Sequence, residues 1–169
     1  MENKYLDQIK NLLSPTIEIK ITDNSLQEKL NIPKYQSELA AGIDLYACIE
    51  NQIEIKPNDK AILISTGIAI HMNNTNMMAI ILPRSGLGHN KGLILGNTAG
   101  VIDADYSGTI FISVYNRNNA MSNDSISIKP GDRIAQMIFL PILKPTFNIV
   151  NDFSEKNNRG DKGFGSTGI

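Results

Sequence analysis

The sequence predicts an all-β domain, a jelly roll or distorted β-barrel, from three observations. Short isoleucine-rich segments recur along the chain, and the segment at 17–21 alternates strictly between apolar and charged side chains, as a half-buried strand does. Clusters of Pro, Gly, Asn and Asp separate these segments. Only one segment has the apolar spacing of an amphipathic helix. Many short strands divided by turns are typical of a barrel or a jelly roll.

The predicted elements divide the chain into three parts. Residues 4–13 repeat apolar side chains at helical spacing and Pro15 ends the pattern, so 1–15 is expected to be an appendage with a possible helix. Residues 16–152 form the predicted β domain, and 153–169, where the apolar pattern has stopped, is expected to be a mobile arm. The predicted strands are 17–21, 53–55, 61–64, 67–70, 77–82, 109–115, 125–128, 134–140 and 146–150.

Length and composition limit the class of protein. The 169 residues suit a single domain with its own core. A balance of 16 Lys and Arg against 17 Asp and Glu argues against broad electrostatic capture of nucleic acid or of an anionic membrane surface. The lone Cys48 excludes an internal disulfide framework, and no Cys/His cluster has zinc spacing. With neither a secretory leader nor an apolar segment of spanning length in the sequence, we expect a cytoplasmic protein.

Two segments have the composition of phosphate-binding loops. Residues 159–168 read Arg-Gly-Asp-Lys-Gly-Phe-Gly-Ser-Thr-Gly, so the backbone can approach an anion closely, Arg159 offers a planar fork of donors and Phe164 offers a flat face for a base. Residues 83–88 place Arg84, a hydroxyl and two glycines directly after a buried-looking strand. Taken alone, the first segment also fits a flexible tail, and the second fits a turn with a solvated arginine.

A predicted hairpin in the middle of the chain suits a binding slot. Val101-Ile102 and 110–112 look like its two arms, with Asp103 and Tyr106 near the bend. Backbone groups along such arms can read the edge of a base, the amide of Asn97 can do the same, and a Tyr ring can pack against a sugar. A polar turn explains these residues as well.

Two polar side chains lie in apolar surroundings. Asp44 is flanked by Gly, Ile and Leu, and a carboxylate in such a frame usually has a partner. Gln136 lies in an apolar predicted strand, where a core amide satisfied by the backbone is an equally good interpretation. Arg133 either orients a site carboxylate or makes a salt bridge within its turn.

Five segments, in this order, resemble the five motifs of the trimeric deoxyuridine triphosphate nucleotidohydrolases, the dUTPase family. They are Ala-Gly-Ile-Asp-Leu at 41–45, Pro-Arg-Ser-Gly-Leu at 83–87, Gly-Val-Ile-Asp-Ala-Asp-Tyr-Ser-Gly at 100–108, Asp-Arg-Ile-Ala-Gln at 132–136 and the segment at 159–168. Each is short, but the five together are highly specific. The resemblance implies a homotrimer of jelly-roll subunits of the dUTPase type, with active sites at subunit interfaces and each site assembled from all three chains.

The implied reaction is the hydrolysis of dUTP to dUMP and pyrophosphate, which limits uracil incorporation into DNA and supplies dUMP for thymidylate synthesis. Asp103 is the candidate general base, which orients the attacking water and accepts its proton. Mg²⁺ would bridge triphosphate oxygens and keep most of its waters, and the resemblance implies that Asp44 helps to arrange those waters or the site behind them.

The resemblance also implies the substrate contacts. Uracil would be held by Asn97 and by backbone groups around Val101 and Ile102, while Tyr106 would pack on the deoxyribose and exclude a 2′-hydroxyl. The implied phosphate contacts are Arg84, Ser85, Gly86 and Gln136. The tail of another subunit would close the site with Phe164 on uracil. The implied contacts to the outer phosphates are Arg159, Gly165, Ser166 and Thr167.

Two alternatives remain open beside this reading. A deoxycytidine triphosphate deaminase has a similar fold, but that family uses a glutamate in the base pocket, and no glutamate occurs between Gly86 and Ile128. A nucleotide-responsive regulatory protein built on the same fold is the second alternative, although no inserted partner-binding domain separates the motifs. One departure from the family pattern is Thr109, where many relatives carry an acidic or amide residue.

Overall fold

The computed structural model describes residues 15–23, 32–122 and 124–154. Within these ranges the chain forms short strands and almost no helix, which confirms the predicted β class. In chain order the strands are β1 Glu18–Ile21, β2 Ile43–Tyr46, β3 Ile53–Ile55, β4 Ile62–Ser65, β5 Ile68–His71, β6 Met77–Leu82, β7 Leu93–Leu95, β8 Gly100–Ile102, β9 Phe111–Asn116, β10 Ile126–Ile128 and β11 Arg133–Pro141. In the described part of the chain, the helical elements are two short turns, Leu87–Lys91 and Ala120–Ser122.

The described strands form four antiparallel sheets. The largest has the order β2-β11-β6-β8, and a three-stranded sheet has the order β4-β9-β7. Strand β1 pairs with β5, and β3 pairs with β10. Among the described residues these sheets do not close into a continuous barrel, so the closed form of the predicted architecture is not seen. The jelly-roll arrangement stays a prediction.

A single apolar cluster forms the core, and strand alternation builds it. On β6 and β9 every second side chain is buried, as the period of two in a half-buried strand requires. Leu45, Val114 and Met137 have no exposed surface. Cys48 is also buried and unpaired, as expected of a small apolar side chain. The core therefore holds β2, β6, β9 and β11, the strands that position the candidate site, in fixed register.

One predicted strand is wrong. Residues 142–154 contain no strand, and the apolar side chains in and around the predicted strand 146–150 point into solvent instead. Leu143, Phe147, Ile149 and Phe153 are between 87% and 97% exposed. The β-forming composition is present, but the described part of this chain offers this segment no strand to pair with. Conversely, β2 and β7 were not predicted as strands.

Two predicted segments lie outside the described residues. These are the possible helix at 4–13 and the glycine-rich segment at 159–168. No helix in the described part of the chain is long and apolar enough to cross a membrane.

Candidate active site

Asp44 lies between two arginines. Its Oδ1 lies 2.7 Å from Arg84 Nε in an ion pair, and its Oδ2 accepts a hydrogen bond from Arg133 Nη1 at 3.1 Å. Asp44 is only 8% exposed, whereas both arginines reach the surface. The expectation that this carboxylate has a partner is confirmed. The open question about Arg133 is also answered, because it bonds the carboxylate of a candidate site.

A β-bulge brings the three side chains together. Strand β11 pairs with β2 so that Gln136 lies opposite Asp44, and the register shifts between Arg133 and Ala135. In a regular strand, residues three positions apart point to opposite faces. The shift places Arg133 on the same side as Gln136, so that both reach the edge of the sheet where Asp44 lies. Arg84 arrives at the same edge from the end of β6.

The segment after β6 is fixed by two hydrogen bonds. Gln136 Nε2 donates to the carbonyl of Pro83 at 2.9 Å, so this amide is satisfied by backbone in the present state. The carbonyl of Arg84 accepts from the Gly88 N–H at 2.8 Å, and the chain then enters the short helical turn. Ser85 and Gly86 lie exposed at the start of this turn. Their backbone is thus held beside Arg84 while their outer surface remains accessible.

A strained turn precedes β8. Thr98 has a φ of 68°, and the N–H of Ala99 donates to the carbonyl of Asn97 at 2.7 Å, which closes a γ-turn around Thr98. A β-branched residue at positive φ costs about 1–3 kcal/mol and persists only when its surroundings hold it. The side chain of Asn97 is exposed and makes no hydrogen bond within the described residues. The turn therefore presents a free amide.

The predicted hairpin is wrong. Strand β8, which contains Val101 and Ile102, pairs with β6, whereas β9 pairs with β4 and β7. The two expected arms thus belong to different sheets, and the chain crosses from one sheet to the other between them. Val101 still presents its side chain to solvent at 59% exposure, and Ile102 is half-buried.

Asp103 and Tyr106 lie in the turn that follows β8. The N–H of Tyr106 donates to the carbonyl of Asp103 at 3.1 Å, and the Tyr106 hydroxyl donates to the carbonyl of Thr109 at 2.9 Å. The Asp103 side chain is exposed, and its carboxylate makes no hydrogen bond within the described ranges. This turn combines an accessible carboxylate with a ring that is held in place and 43% exposed.

The sheet register separates these residues into two groups. Arg84, Gln136 and Asp44 meet at the end of β6 near Leu82, which lies opposite Gln136. Asp103 follows Ile102, which lies opposite Ala79. At about 3.3 Å per residue, the two groups are roughly 10–13 Å apart along β6. Within one chain, the described residues do not bring the candidate base to the arginine cluster.

The arginine cluster has the electrostatics of a phosphate site. Two guanidinium groups surround one carboxylate, which leaves one excess positive charge. Arg84 uses Nε for Asp44, and its Nη1 makes only a long contact of 3.5 Å to the carbonyl of Arg133. Its terminal nitrogens therefore remain available for the oxygens of an anion. The described residues contain no group of three or more His, Cys, Asp or Glu that could hold a metal ion.

The fold and site define an all-β protein with two arginines around one carboxylate and, apart from them, a loop that presents an amide, a carboxylate and an aromatic ring. The family model for dUTPase matches residues 28–168. This match covers most of the chain, so the chain belongs to the dUTPase family. The possible helix at 4–13 lies before the matched region.

Similar proteins agree with this family. The deoxyuridine 5'-triphosphate nucleotidohydrolase of Shigella flexneri serotype 5b is 45% identical over 152 residues, which are 90% of this chain and 97% of the relative. The enzyme of the same name from Buchnera aphidicola is 46% identical over 153 residues, again 90% of this chain and 96% of the relative. Each relative is thus matched over nearly its whole length.

Solved structures share the fold. The Staphylococcus bacteriophage 80alpha dUTPase with dUPNHPP superposes with a TM-score of 0.79 at 24% identity, covering 92% of this chain and 100% of the phage chain. A mutant dUTPase from phage phi11 of S. aureus, described with a structural Mg(II) ion, has a TM-score of 0.71 at 20% identity and covers 83% of this chain and 99% of its own. At these identities the likeness shows the fold alone.

Proposed function

We propose that the protein hydrolyses dUTP to dUMP and pyrophosphate. The observation that carries this proposal is the pair of arginines on Asp44, which orients Arg84 with its terminal nitrogens available for phosphate oxygens. Family membership and two relatives of that activity, each about 45% identical over 90% of this chain, give the site its substrate.

Asp103 supplies the base. Its exposed carboxylate accepts a proton from the water that attacks the α-phosphate, and it holds this water in line for the attack. An ordinary aspartate is a weak base at neutral pH, so orientation of the water contributes much of its effect. General base catalysis of this kind is typically worth about 10²–10⁴ in rate.

The phosphate contacts are Arg84, Ser85, Gly86 and Gln136. Arg84 binds through its terminal nitrogens, and the backbone and hydroxyl beside it add donors. Gln136 holds the carbonyl of Pro83 and so keeps this segment in place, and its amide turns to the phosphates when the nucleotide is bound. At the other end, the free amide of Asn97 and the backbone of Val101 and Ile102 hold uracil, and Tyr106 packs on the sugar.

Mg²⁺ fits this set of donors as an ion that arrives with the nucleotide. Magnesium usually takes one or two carboxylates and substrate phosphates while it keeps several waters, so a cage of acidic residues is not needed. Both Asp44 oxygens are already paired with arginines, but a carboxylate has further lone pairs and can accept from waters of the ion. The bound ion would neutralise charge on the leaving pyrophosphate. Chelation with EDTA should stop turnover, and added Mg²⁺ should restore it.

The active form is a homotrimer of jelly-roll subunits with shared sites. Two observations support this assembly. Asp103 lies roughly 10–13 Å along β6 from the arginine cluster, so the described residues of one chain do not place the candidate base beside the candidate phosphate site. In addition, Leu143, Phe147 and Ile149 expose apolar surface that a neighbouring copy would cover. The segment at 159–168 of a third copy then closes over the nucleotide, with Phe164 on uracil and with contacts from Arg159, Gly165, Ser166 and Thr167 to the outer phosphates.

Product analysis tests the reaction and separates the alternatives. The protein is incubated with Mg²⁺ and with dUTP, dCTP, dTTP or UTP, and both pyrophosphate and ammonia are measured. Pyrophosphate from dUTP alone is the expected result. Ammonia from dCTP would identify a deaminase, and nucleotide binding without turnover would favour a regulatory protein.

Asp103→Asn should abolish hydrolysis and keep measurable dUTP binding, whereas full turnover by this variant would reject the assigned base.

Subunit mixing tests the shared site. Asp103→Asn and Arg84→Ala should each be inactive alone. After the two variants are unfolded and refolded together, mixed trimers should regain part of the activity, because some sites combine an intact Asp103 with an intact Arg84. Each variant refolded alone is the control. No recovery in a mixture that forms trimers by mass measurement would show that both residues act within one chain.

Deletion of 159–169 should reduce turnover and leave the assembly intact, and a truncated protein with full activity would contradict the role of the tail.

A further inference from the structure

The ring of Tyr106 lies against Gly108. A Cβ atom added at Gly108 would lie 2.7 Å from the Tyr106 hydroxyl oxygen, 2.9 Å from Cζ and 3.3 Å from Cε2. Real Cβ atoms do not approach other atoms within 3.0 Å. The end of the ring therefore occupies the space that a side chain at this position would need.

The lack of room for a side chain is enough to explain why position 108 is a glycine. Gly108 is not among the described glycines with positive φ, which are Gly67, Gly92 and Gly131. An alanine is therefore compatible with the backbone at Gly108, and the neighbouring ring is what excludes it. This separates Gly108 from a glycine that is needed only to make a turn.

We propose that Gly108 is a positioning residue that fixes the Tyr106 ring and thereby sets discrimination between deoxyribose and ribose. The inference rests on the proposed function, in which this ring packs on the sugar. Two features define the ring position. The end of the ring fills the space over Gly108, and the hydroxyl donates a hydrogen bond of 2.9 Å to the carbonyl of Thr109. Because every residue type carries that carbonyl, the departure from the family pattern at Thr109 leaves this contact intact.

The displacement caused by Gly108→Ala can be estimated. An ordinary contact begins near 3.4 Å, so the hydroxyl oxygen at 2.7 Å must move by roughly 0.7 Å. Such a movement breaks or lengthens the bond to Thr109 and shifts the 43% exposed ring relative to the sugar. A misplacement of about 1 Å in an active site can change rates up to about 100-fold. We expect the ratio of kcat/KM for dUTP to that for UTP to fall at least about fivefold.

A double-mutant cycle identifies the ring as the route of the effect. Tyr106→Ala removes the whole ring, and with it all three atoms that lie near the new methyl group. The effect of Gly108→Ala on the dUTP-to-UTP ratio should therefore be smaller in the Tyr106→Ala background, by about threefold or more. Ser107→Ala is the matched control, since Ser107 is exposed in the same turn and makes no side-chain hydrogen bond within the described ranges. Its ratio should equal that of the unmodified protein.

The outcomes are distinct. An unchanged ratio in Gly108→Ala overturns the proposal, and so does an equal loss in both backgrounds, because the effect would then bypass the ring. If Gly108→Ala does not fold, as judged by its circular dichroism spectrum, Tyr106→Phe alone provides the test. Loss of the hydroxyl anchor should lower the ratio severalfold, and an unchanged ratio overturns the proposal. Failure of the unmodified protein to hydrolyse dUTP would instead reject the proposed function.

Discussion

Asp44→Asn tests whether one carboxylate holds the phosphate end of the site together. The change keeps the shape of the side chain and removes its charge. Asp44 forms an ion pair with Arg84 Nε at 2.7 Å and accepts a hydrogen bond from Arg133 Nη1 at 3.1 Å. An amide offers a single acceptor oxygen and presents an NH₂ donor to the other guanidinium, so at least one of the two contacts must be lost.

The magnitude follows from the type of bond. A hydrogen bond to a charged group contributes about 1.5–3 kcal/mol, and a neutral one about 0.5–1.5 kcal/mol. The contact that remains still has a charged guanidinium donor, so the loss of the other one lowers the free energy of unfolding by roughly 1.5–3 kcal/mol. The arginine side chains are 27% and 44% exposed, so water replaces part of the loss, and we expect a value near the lower end. For a chain of this size, about 2 kcal/mol corresponds to a fall in Tm of roughly 4–8 °C.

Calorimetry and kinetics check this expectation together. Scanning calorimetry at one protein concentration gives Tm, and steady-state assays give kcat/KM for dUTP, which should fall at least about tenfold because Arg84 loses the partner of its Nε. Asp103→Asn is the matched control, since it makes the same substitution on an exposed carboxylate. Its Tm should stay within about 1–2 °C of the unmodified protein. Equal Tm values for the two variants would refute the reasoning.

Three other positions give simpler tests. The side chain of Asn116 is fully buried, donates to two carbonyls at 2.8 Å and accepts from an N–H at 3.0 Å. Asn116→Ala should therefore lower the free energy of unfolding in urea by about 3 kcal/mol, and a change below about 1 kcal/mol would contradict this. Burial, with a smaller contribution from Asp23, raises the pKa of the Cys48 thiol. Native protein should therefore react with iodoacetamide at pH 8 at least about tenfold more slowly than unfolded protein. An equal rate in the two states would contradict this expectation. Because the folded pKa of this thiol is the higher one, its contribution to stability is present below the unfolded pKa and is lost as pH rises through the folded pKa. Phe147→Ser removes an apolar side chain that is 91% exposed, so it should weaken the trimer in sedimentation at low concentration, and unaltered assembly would show that Phe147 lies outside the interface.

Local pattern was sufficient for strands with one buried face. The predicted strand 77–82 coincides with β6, because its side chains alternate between buried and partly exposed positions. The pattern was insufficient where a polar residue interrupts an apolar run or where a short strand is apolar throughout. Asp44 breaks the apolar run of β2, and β7 reads Leu-Ile-Leu without alternation. These two strands therefore carry little periodic signal.

Pairing partners were not predictable from local pattern. The segments on either side of Asp103 have the composition of hairpin arms, but β8 finds its partner in β6, about twenty positions earlier. The segment 146–150 has strand composition and finds no partner in the described chain. Which strands meet is decided by long-range burial, and composition within a window of ten residues does not contain that information.

The sequence predicted that a polar group of the candidate site has a partner, but not which residues supply it. A carboxylate among apolar residues usually has a partner, and Asp44 has two. Arg133 reaches the Asp44 carboxylate only because the bulge turns its side chain to the same side of the sheet as Gln136. The sequence of 132–136 gives no sign of this bulge, so the interpretation of Arg133 as a turn salt bridge remained open until the register was known.

The division of the site along β6 links its chemistry to assembly. A base acts through a water within about 3 Å of both the carboxylate and the reacting phosphorus, and the register separates Asp103 from the Arg84 cluster of its own chain by roughly 10–13 Å along β6. If another copy supplies the missing half, the surfaces that hold the copies together become as necessary for turnover as the carboxylate itself. The apolar side chains of Leu143, Phe147, Ile149 and Phe153, which lie exposed among the described residues, would then contribute to turnover by holding the copies together.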